Sequence, residues 1–571
     1  MTNADLSASD WARRFDRLDG PTRRVLREVY GPEEEVLSAR VKLLSRVVAA
    51  FHARFGDAPL RIFRCPGRIN LRGMHVDTHG GYLNLMTHQR EVVVAAAPTN
   101  GCTVTAANID PRFPETSFDI QLPLWAGNNS RPTCWLDFIM DAAVRRRVDA
   151  RRGDWGNYLE GAWFSVQHRF SGHALHGMNC VVGSDVPRGA ALSSSAALCV
   201  GMTLAALGCN GLALEPDPLI LAARDAEWYT GSRCGLSDQA AMVLGGRGEL
   251  INVAFYPARF TSAAARRIPF PGALRVLVIN SYTERSLSGA ALADYTRNRF
   301  AYSLALEILR QEMRRRGMPE ETVSSMDRLS NVCPAVLEPI GGMPALLKLL
   351  AGIPETITLA ELRTRYAIPE FDASYTQHFA TVPEALRPET IGLRGPLLFG
   401  IAESERARLF PEALETGDFE KAGRLMTRGH DGDRRVRADG VPYRYDVSDA
   451  AFATIRERQS PDWQPIESQE SVEWCPGAYG ASTSVLDFLV DAALEAGALG
   501  ASLTGAGMAG AVLALCRAAD AGPIAEILRQ RMASPHYAQR CKRPEGLTDE
   551  ELGQAVLVNT ATACAGELHL P

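Results

Sequence analysis

The segment VPRGAALSSSAALCVGMTLAAL, residues 186–207, constrains this chain more than any other. A glycine-bearing turn runs through three consecutive serines, Ser193, Ser194 and Ser195, into a stretch of small apolar residues. A helix apolar all round has no solvent face, so this stretch predicts a buried helix. HALHGMNCVVGSDV, 173–186, reads as a strand leading into it. A chain of 571 residues can bury a large core and is expected to form more than one lobe.

The junction also carries chemistry. A glycine turn lets backbone N–H groups approach a ligand. A helix that starts there adds unpaired N–H groups and a positive dipole end, which suits phosphate. Serine hydroxyls can cap the helix, contact phosphate or ligate a hard cation such as Mg²⁺. The plainer reading, an N-cap with two incidental serines, stands beside it. The net charge of −5 gives no electrostatic case for nucleic acid. The twelve cysteines form no C-x-x-C pair, which argues against a zinc site or a disulfide framework and for reduced thiols in a cytosol. The N-terminus lacks a basic segment followed by an apolar run, so no signal peptide is expected. No run of about 20 apolar residues occurs, so no membrane span is expected.

Other elements follow from periodicity. Residues 10–56 alternate charged and apolar positions at helical spacing. LRIFRCPGRINL and EVVVAAAPT read as strands around a glycine-punctuated loop. The arginine-rich RRRVDARRG, 145–153, reads as a solvated helix face. RVLVINS, 275–281, predicts a strand, and residues 285–318, 397–429 and 484–498 predict helices. Residues 319–393 mix prolines with short elements. ASLTGAGMAGAVLALC, 501–516, predicts strand, glycine turn, strand. Its G-x-G-x-x-G is followed by a strand-like run where a dinucleotide fingerprint opens a helix, so no such site is expected. No P-loop sequence G-x-x-x-x-G-K-[ST] is present.

Two further stretches carry polar groups suited to catalysis. CPGRINLRGMHVDTHGGYLN, 65–84, gathers Arg68, His75, Asp77 and His79 among glycines. Arginine stabilises transferring phosphate, and Asp and His bond vicinal hydroxyls. RDAEWYTGSRCGLSDQAAMVLGG, 224–246, places Glu227 near a helix end and Asp238 in a glycine-flanked segment. One carboxylate beside a phosphate site can hold Mg²⁺ and another can take a hydroxyl proton. Taken alone, Asp238 also reads as a helix N-cap.

In order, PGRINLRGMHVDTHGG, PRGAALSSSAA, GSRCGLSDQ and LTGAGMAGA resemble the sugar-kinase branch of the GHMP kinase superfamily, galactokinases most of all. WGNYLEG, INSYTERSLSGAALADYTRNR and RLMTRGHDGDR match that branch too. The resemblance implies an α/β (α+β) fold with a ribosomal-protein-S5-like N-terminal lobe, a ferredoxin-like C-terminal lobe and an active site between them. The expected divisions are a helical extension at 1–58, an N-terminal lobe at 59–275, and a C-terminal lobe at 276–571 with an insertion around 311–390. It implies ATP held by Gly189, Ala190, Ala191, Leu192, Ser193, Ser194 and Ser195, with Trp155. It implies Mg²⁺ on Ser195 and Glu227, and Asp238 as general base beside Arg68. Met74, His75, Asp77, Gly235 and Tyr295 are implied at the sugar. The implied activity is ATP- and Mg²⁺-dependent phosphorylation of the anomeric hydroxyl of a galactose-like monosaccharide; a cytoplasmic enzyme is expected, its oligomeric state open with a monomer favoured.

Departures from the pattern matter as much. Met74 replaces a glutamate that contacts the C6 hydroxyl in that branch. A thioether cannot accept that hydrogen bond, so a pentose, a 6-deoxy sugar or a C6-modified sugar fits better than galactose. Arg72 offers a partner for an acidic substituent, but the favoured reading turns it to solvent. Ala191 replaces a glycine and is expected to strain the loop if its φ is positive. Met508 and Ala509 replace an aromatic and a glycine. Two alternatives remain: a sugar- and ATP-binding regulator without turnover, and a GHMP kinase for another small alcohol.

Overall fold

The computed structural model describes residues 6–571 except 121–133, 188, 190–191, 233, 256–259, 284–288, 381 and 453–470. Three helices open the chain: α1 (Ala8–Arg17), α2 (Gly20–Tyr30) and α3 (Glu34–Phe55). Ser7 and Asp10 form a capping box on α1, and Asp19 accepts from Thr22 N to start α2, which supplies the caps these short helices need. The predicted single helical stretch is thus broken at Leu18 and again at Gly31.

The first sheet is built on β1 (Arg61–Arg72) and β2 (Tyr82–Pro98), an antiparallel pair joined by the loop 73–81. With β3 (Thr103–Asn108), β4 (Thr116–Asp119), β5 (Met178–Ser184), β6 (Glu249–Ala254) and β7 (Arg266–Pro269) it forms an eight-stranded sheet, whose edge is closed by β14 (Gly566–Glu567). Nearly every residue of β1 and β2 is buried, so both faces of the pair are covered. The period of two shows who covers which face. Val92, Val94 and Ala96 pack under the helices Gly156–Arg169, Ser194–Cys209 and Pro216–Tyr229. Val93, Ala95 and Ala97 pack against Trp11, Phe15, Leu44, Val47 and Phe51 of α1 and α3. The N-terminal helices therefore roof the back of this sheet.

The second sheet holds β8 (Leu274–Asn280), β11 (Gly500–Thr504), β12 (Ala511–Arg517) and β13 (Val556–Val558) in the order β11-β12-β8-β13, all antiparallel. Leu277 and Ile279 face the helices Ser484–Glu495 and Ala521–Met532. Val276 and Val278 face the helices Arg394–Glu415 and Phe419–Asp433. Between the helix Gly289–Ser303 and Arg394 lie short helices and the small β9 (Thr356–Thr358) and β10 (Thr390–Gly392) pair, which share one apolar cluster with Val76, Leu83 and Tyr479 beside the cleft.

The arginine-rich stretch departs in part from its solvated reading, since Arg146 and Arg152 are exposed but the other three reach inward. Arg147 and Arg151 both pair with the buried Glu160, and Arg145 donates to Tyr229 O at 2.7 Å. Glu160 has no exposure, and an unpaired carboxylate there would be costly. No helix among the described residues is long and apolar enough to cross a membrane.

Candidate active site

A cavity of about 570 Å³ opens between the two sheets. The first sheet contributes Arg68 and Asn70 of β1 and the loop 73–79; the second contributes Gly505 and Ala506 of the β11–β12 turn. Tyr295 and Tyr302 come from the helix Gly289–Ser303, and Tyr479 from a loop.

At one end stands Asp238, the second residue of the helix Ser237–Leu244. It caps nothing: the cap position is Leu236, without a side-chain bond. Instead Arg68 Nε donates to its Oδ1 at 2.8 Å, with Arg68 Nη2 at 2.7 Å from the same oxygen. Ser193 donates its hydroxyl to Oδ2. That choice removes Ser193 from capping duty too. It occupies the cap position of the helix Ser194–Cys209 with φ +57 and no side-chain cap bond. The main chain ties the two loops together as well, because Arg68 N donates to Leu192 O at 3.3 Å.

Two residues after Ser193, in the first turn of that helix, Ser195 donates to Glu227 Oε1 at 2.6 Å. Glu227 Oε2 accepts from Gln239 Nε2 at 2.8 Å and from Cys234 Sγ at 3.4 Å. Burial pushes the Glu227 carboxyl above its ordinary range, against the pull of Ser195. A hydroxyl and a carboxylate held this close, in a site that disfavours bare negative charge, fit Mg²⁺, which takes few protein oxygens and completes its shell with phosphates and water. Among the described residues no three-residue metal cluster exists.

The loop 73–81 is tightly determined. Gly73 has φ +94, and a Cβ on it would collide with Tyr82 O. Glu403 Oε1 accepts from Gly73 N at 2.8 Å and Met74 N at 3.0 Å. His75 follows at φ +64, stacked on Tyr479 with ring centroids 4.5 Å apart. Asp77 Oδ2 accepts from Ser237 Oγ at 3.0 Å, and burial pushes its carboxyl up. A Cβ at Gly235 would run into Asp77, so no side chain fits there. Met74 is buried and belongs to the apolar cluster that includes Leu277, Ile279 and Leu503.

Three buried polar atoms around this cavity have no hydrogen-bond partner: Asn70 Oδ1, His75 Nε2 and Tyr302 OH. Asp433 Oδ1 lies 3.6 Å from His75 Nε2, too far to satisfy it. A buried polar atom left unpaired is costly, and a hydroxyl-bearing ligand in this cavity is one partner that could satisfy these three.

Arg68, Met74, His75, Asp77, Gly235, Asp238 and Tyr295 all line this cavity. Gly189 has φ +71, and Ser194 opens its helix. Ala190 and Ala191 lie outside the described residues, and so does the strain expected at Ala191. Strain is visible elsewhere: His75, Ser193 and Met508 are non-glycine residues with positive φ, one in each of three motifs. One expectation needs correction. Arg72 does not face solvent. It is 1% exposed, ion-paired to Glu403 at 3.1 Å, and donates to Leu425 O and Met426 O. Trp155 is buried beside Phe113 with Nε1 donating to Pro114 O at 2.8 Å, and like Ser193, Ser194 and Ser195 it is not part of the lining of this cavity.

The sequence reading missed Asn70, Ser237, Arg299, Tyr302, His378 and Tyr479, all of which line the cavity. Asn70 sits inside PGRINLRG and was within reach of a motif argument. Tyr479 and His378 come from segments without a motif.

Comparison with known proteins agrees with this geometry. Residues 157–246 match the GHMP kinases N terminal domain, 49–98 the galactokinase galactose-binding signature, and 451–534 the GHMP kinases C terminal domain. A galactokinase of Chloroflexus aurantiacus is 28% identical over 479 residues, covering 83% of this chain and 88% of the relative. A galactokinase of Chloroflexus aggregans matches with the same identity and coverage. The crystal structure of Lactococcus lactis galactokinase complexed with galactose superposes with a TM-score of 0.54 at 18% identity, covering 93% of this chain and 99% of that one.

Proposed function

We infer that this chain, which belongs to the GHMP kinase superfamily in its galactokinase-like branch and is a phosphotransferase with an alcohol acceptor, transfers the γ-phosphoryl group of ATP to the anomeric hydroxyl of a galactose-like monosaccharide other than galactose. The observation that carries this reading is the grouping of Arg68, Ser193 and Asp238 at one end of a cavity with unpaired polar atoms along its wall.

Asp238 takes the proton of the sugar hydroxyl. The freed oxygen attacks the γ-phosphorus, and the β–γ bridging bond breaks with its electron pair leaving on ADP. Phosphoryl transfer asks little covalent chemistry of the protein; positioning and charge neutralisation dominate. Arg68 and Ser193 fix both oxygens of Asp238, so one geometry faces the hydroxyl. The guanidinium also lies where charge spreads over the transferring group. Backbone N–H groups of Gly189 and of Leu192–Ser195 cradle the phosphates at the start of the helix Ser194–Cys209. Ser195 and Glu227 would hold Mg²⁺, which neutralises phosphate charge when bound. His75, Asp77 and Asn70 bind sugar hydroxyls. Met74 leaves the site without a carboxylate at that position, which disfavours a sugar that needs an acceptor there.

A sugar-dependent ADP-release screen with Mg²⁺ tests this, with Asp238→Asn as control. Release that needs sugar and vanishes in the variant is expected. Efficient turnover of galactose relative to every other sugar would refute the Met74 argument, and ATP binding without any turnover would refute the kinase assignment.

A further inference from the structure

We propose that the wall of the cavity formed by the helix Gly289–Ser303 is a subsite for an anionic substituent of the sugar, a carboxylate or a phosphate, with Arg299 as its counter-ion. Tyr295, Arg299, Tyr302 and Ser303 of this helix all line the cavity, at the three- and four-residue spacing of one helical face. Opposite them stand His79 of the sugar loop and His378 of the helix Phe371–Phe379.

The charges around Arg299 are accounted for without it. Asp294, one turn earlier, already receives Arg297 at 3.0 Å and Arg435 at 3.3 Å. Asp238 is held by Arg68, and Asp77 by Ser237. Asn298 is committed to Tyr479 O at 2.6 Å. Arg299 is exposed and lines the cavity, and among the described residues it makes neither a hydrogen bond nor an ion pair. A planar guanidinium matches a carboxylate or phosphate through two parallel bonds.

The surroundings suit such a group. His79 packs against Tyr302 with ring centroids 4.2 Å apart and planes tilted by 52°, and shares a hydrogen bond with Thr78 Oγ1. Burial lowers its pKa to about 4, with the charge of Arg299 adding to the effect. His378 uses Nδ1 on Ser374 O at 2.8 Å, which leaves its other nitrogen free to bond a ligand. The neutral rings supply hydrogen-bonding atoms and Arg299 supplies the charge. The cavity also has room: about 570 Å³ lies well inside the range of sites for ligands larger than a bare hexose. At position 74 a thioether stands, which does not repel an anion.

The identity of the ligand as a sugar rests on the kinase reading; the subsite itself does not. Calorimetric titration of the full chain with D-galacturonate, D-galactose 6-phosphate and D-galactose is the test, run beside ADP release. One anionic sugar should bind roughly tenfold or more tighter than galactose, as a charge-assisted pair demands. Arg299→Gln should collapse that preference, and Arg299→Lys should keep part of it. Which acid binds tells carboxylate from phosphate. Equal binding of all three sugars by the wild type overturns the subsite, as does a preference that survives Arg299→Gln. Arg299-dependent binding without ADP release would refute the kinase reading and leave the subsite standing. Asp238-dependent turnover of neutral sugars with no anionic preference would do the reverse.

Discussion

Arg68 and Arg72 lie four residues apart on β1, and each meets a carboxylate from a distant part of the chain. Their fates differ. Arg68 pairs with Asp238, whose side chain keeps 24% of its exposure and faces the cavity. Arg72 pairs with Glu403, which has none, and its remaining donors go to the carbonyls of Leu71, Leu425 and Met426. Arg406 closes the far side of Glu403 at 2.8 Å. The same ion pair is thus used twice on one strand. Left open to a cavity it is reactive; sealed and saturated it is a fastener, holding Gly73 and Met74 through Glu403. Ion pairing does not separate the two roles, and residual access does.

The largest effects should split along that line. Asp238→Asn keeps shape and removes the proton acceptor, so kcat should fall about a thousandfold while the urea midpoint hardly moves. Arg72→Met leaves Glu403 buried with one guanidinium fewer and removes the added bonds to the carbonyls of Leu425 and Met426. Breaking a buried pair in this way costs about 3–5 kcal/mol, read as a lower urea midpoint. If Arg72→Met instead lowered kcat at unchanged stability, the division into reactive and fastening pairs would be wrong.

Ser193→Ala sharpens the comparison from the reactive side. It deletes one hydrogen bond to a carboxylate and touches no core residue. About a tenfold loss in kcat is expected, with the thermal midpoint unchanged, because a bond to a charged acceptor is worth about 1.5–3 kcal/mol at most. A drop in stability with normal kcat would return Ser193 to the plainer role of a helix cap.

This contrast also measures what the sequence could tell. Four motifs in order located Arg68, Asp77, Ser193, Ser195 and Asp238, with Glu227 just ahead of the third, because the glycines and serines around them advertise a close approach of backbone to ligand. The strands of both sheets were legible from apolar runs such as RVLVINS. Arg72 was not legible. An arginine at a strand end reads as solvated, and its partner Glu403 sits in LLFGIAESERARLF, where it looks like one more surface charge. The wall around Arg299 was hidden for a related reason. Tyr302, His378 and Tyr479 come from three separate segments and share only their place in the fold.

The smallest effect is a matter of pH, and it isolates the fastener. Burial alone would push the Glu403 carboxyl up, but the guanidiniums of Arg72 and Arg406 outweigh it and hold it below its ordinary value of 4.5. Above that value Glu403 is ionised in both the folded and the unfolded chain, and its contribution to stability is complete. As pH falls below it, the unfolded chain takes up a proton that the folded chain refuses. Stability then erodes until the folded group titrates as well. Glu403→Gln has no such proton to take up. It should be less stable at neutral pH, because an amide cannot pair two arginines, and its stability should fall less steeply with acid below 4.5. Many carboxylates titrate in this range, so the quantity to measure is the difference between wild type and variant in urea midpoints down the acid limb, where shared contributions cancel. Parallel acid limbs would mean that Glu403 is not held ionised by its arginines, and the sealed pair would lose its claim to be a fastener.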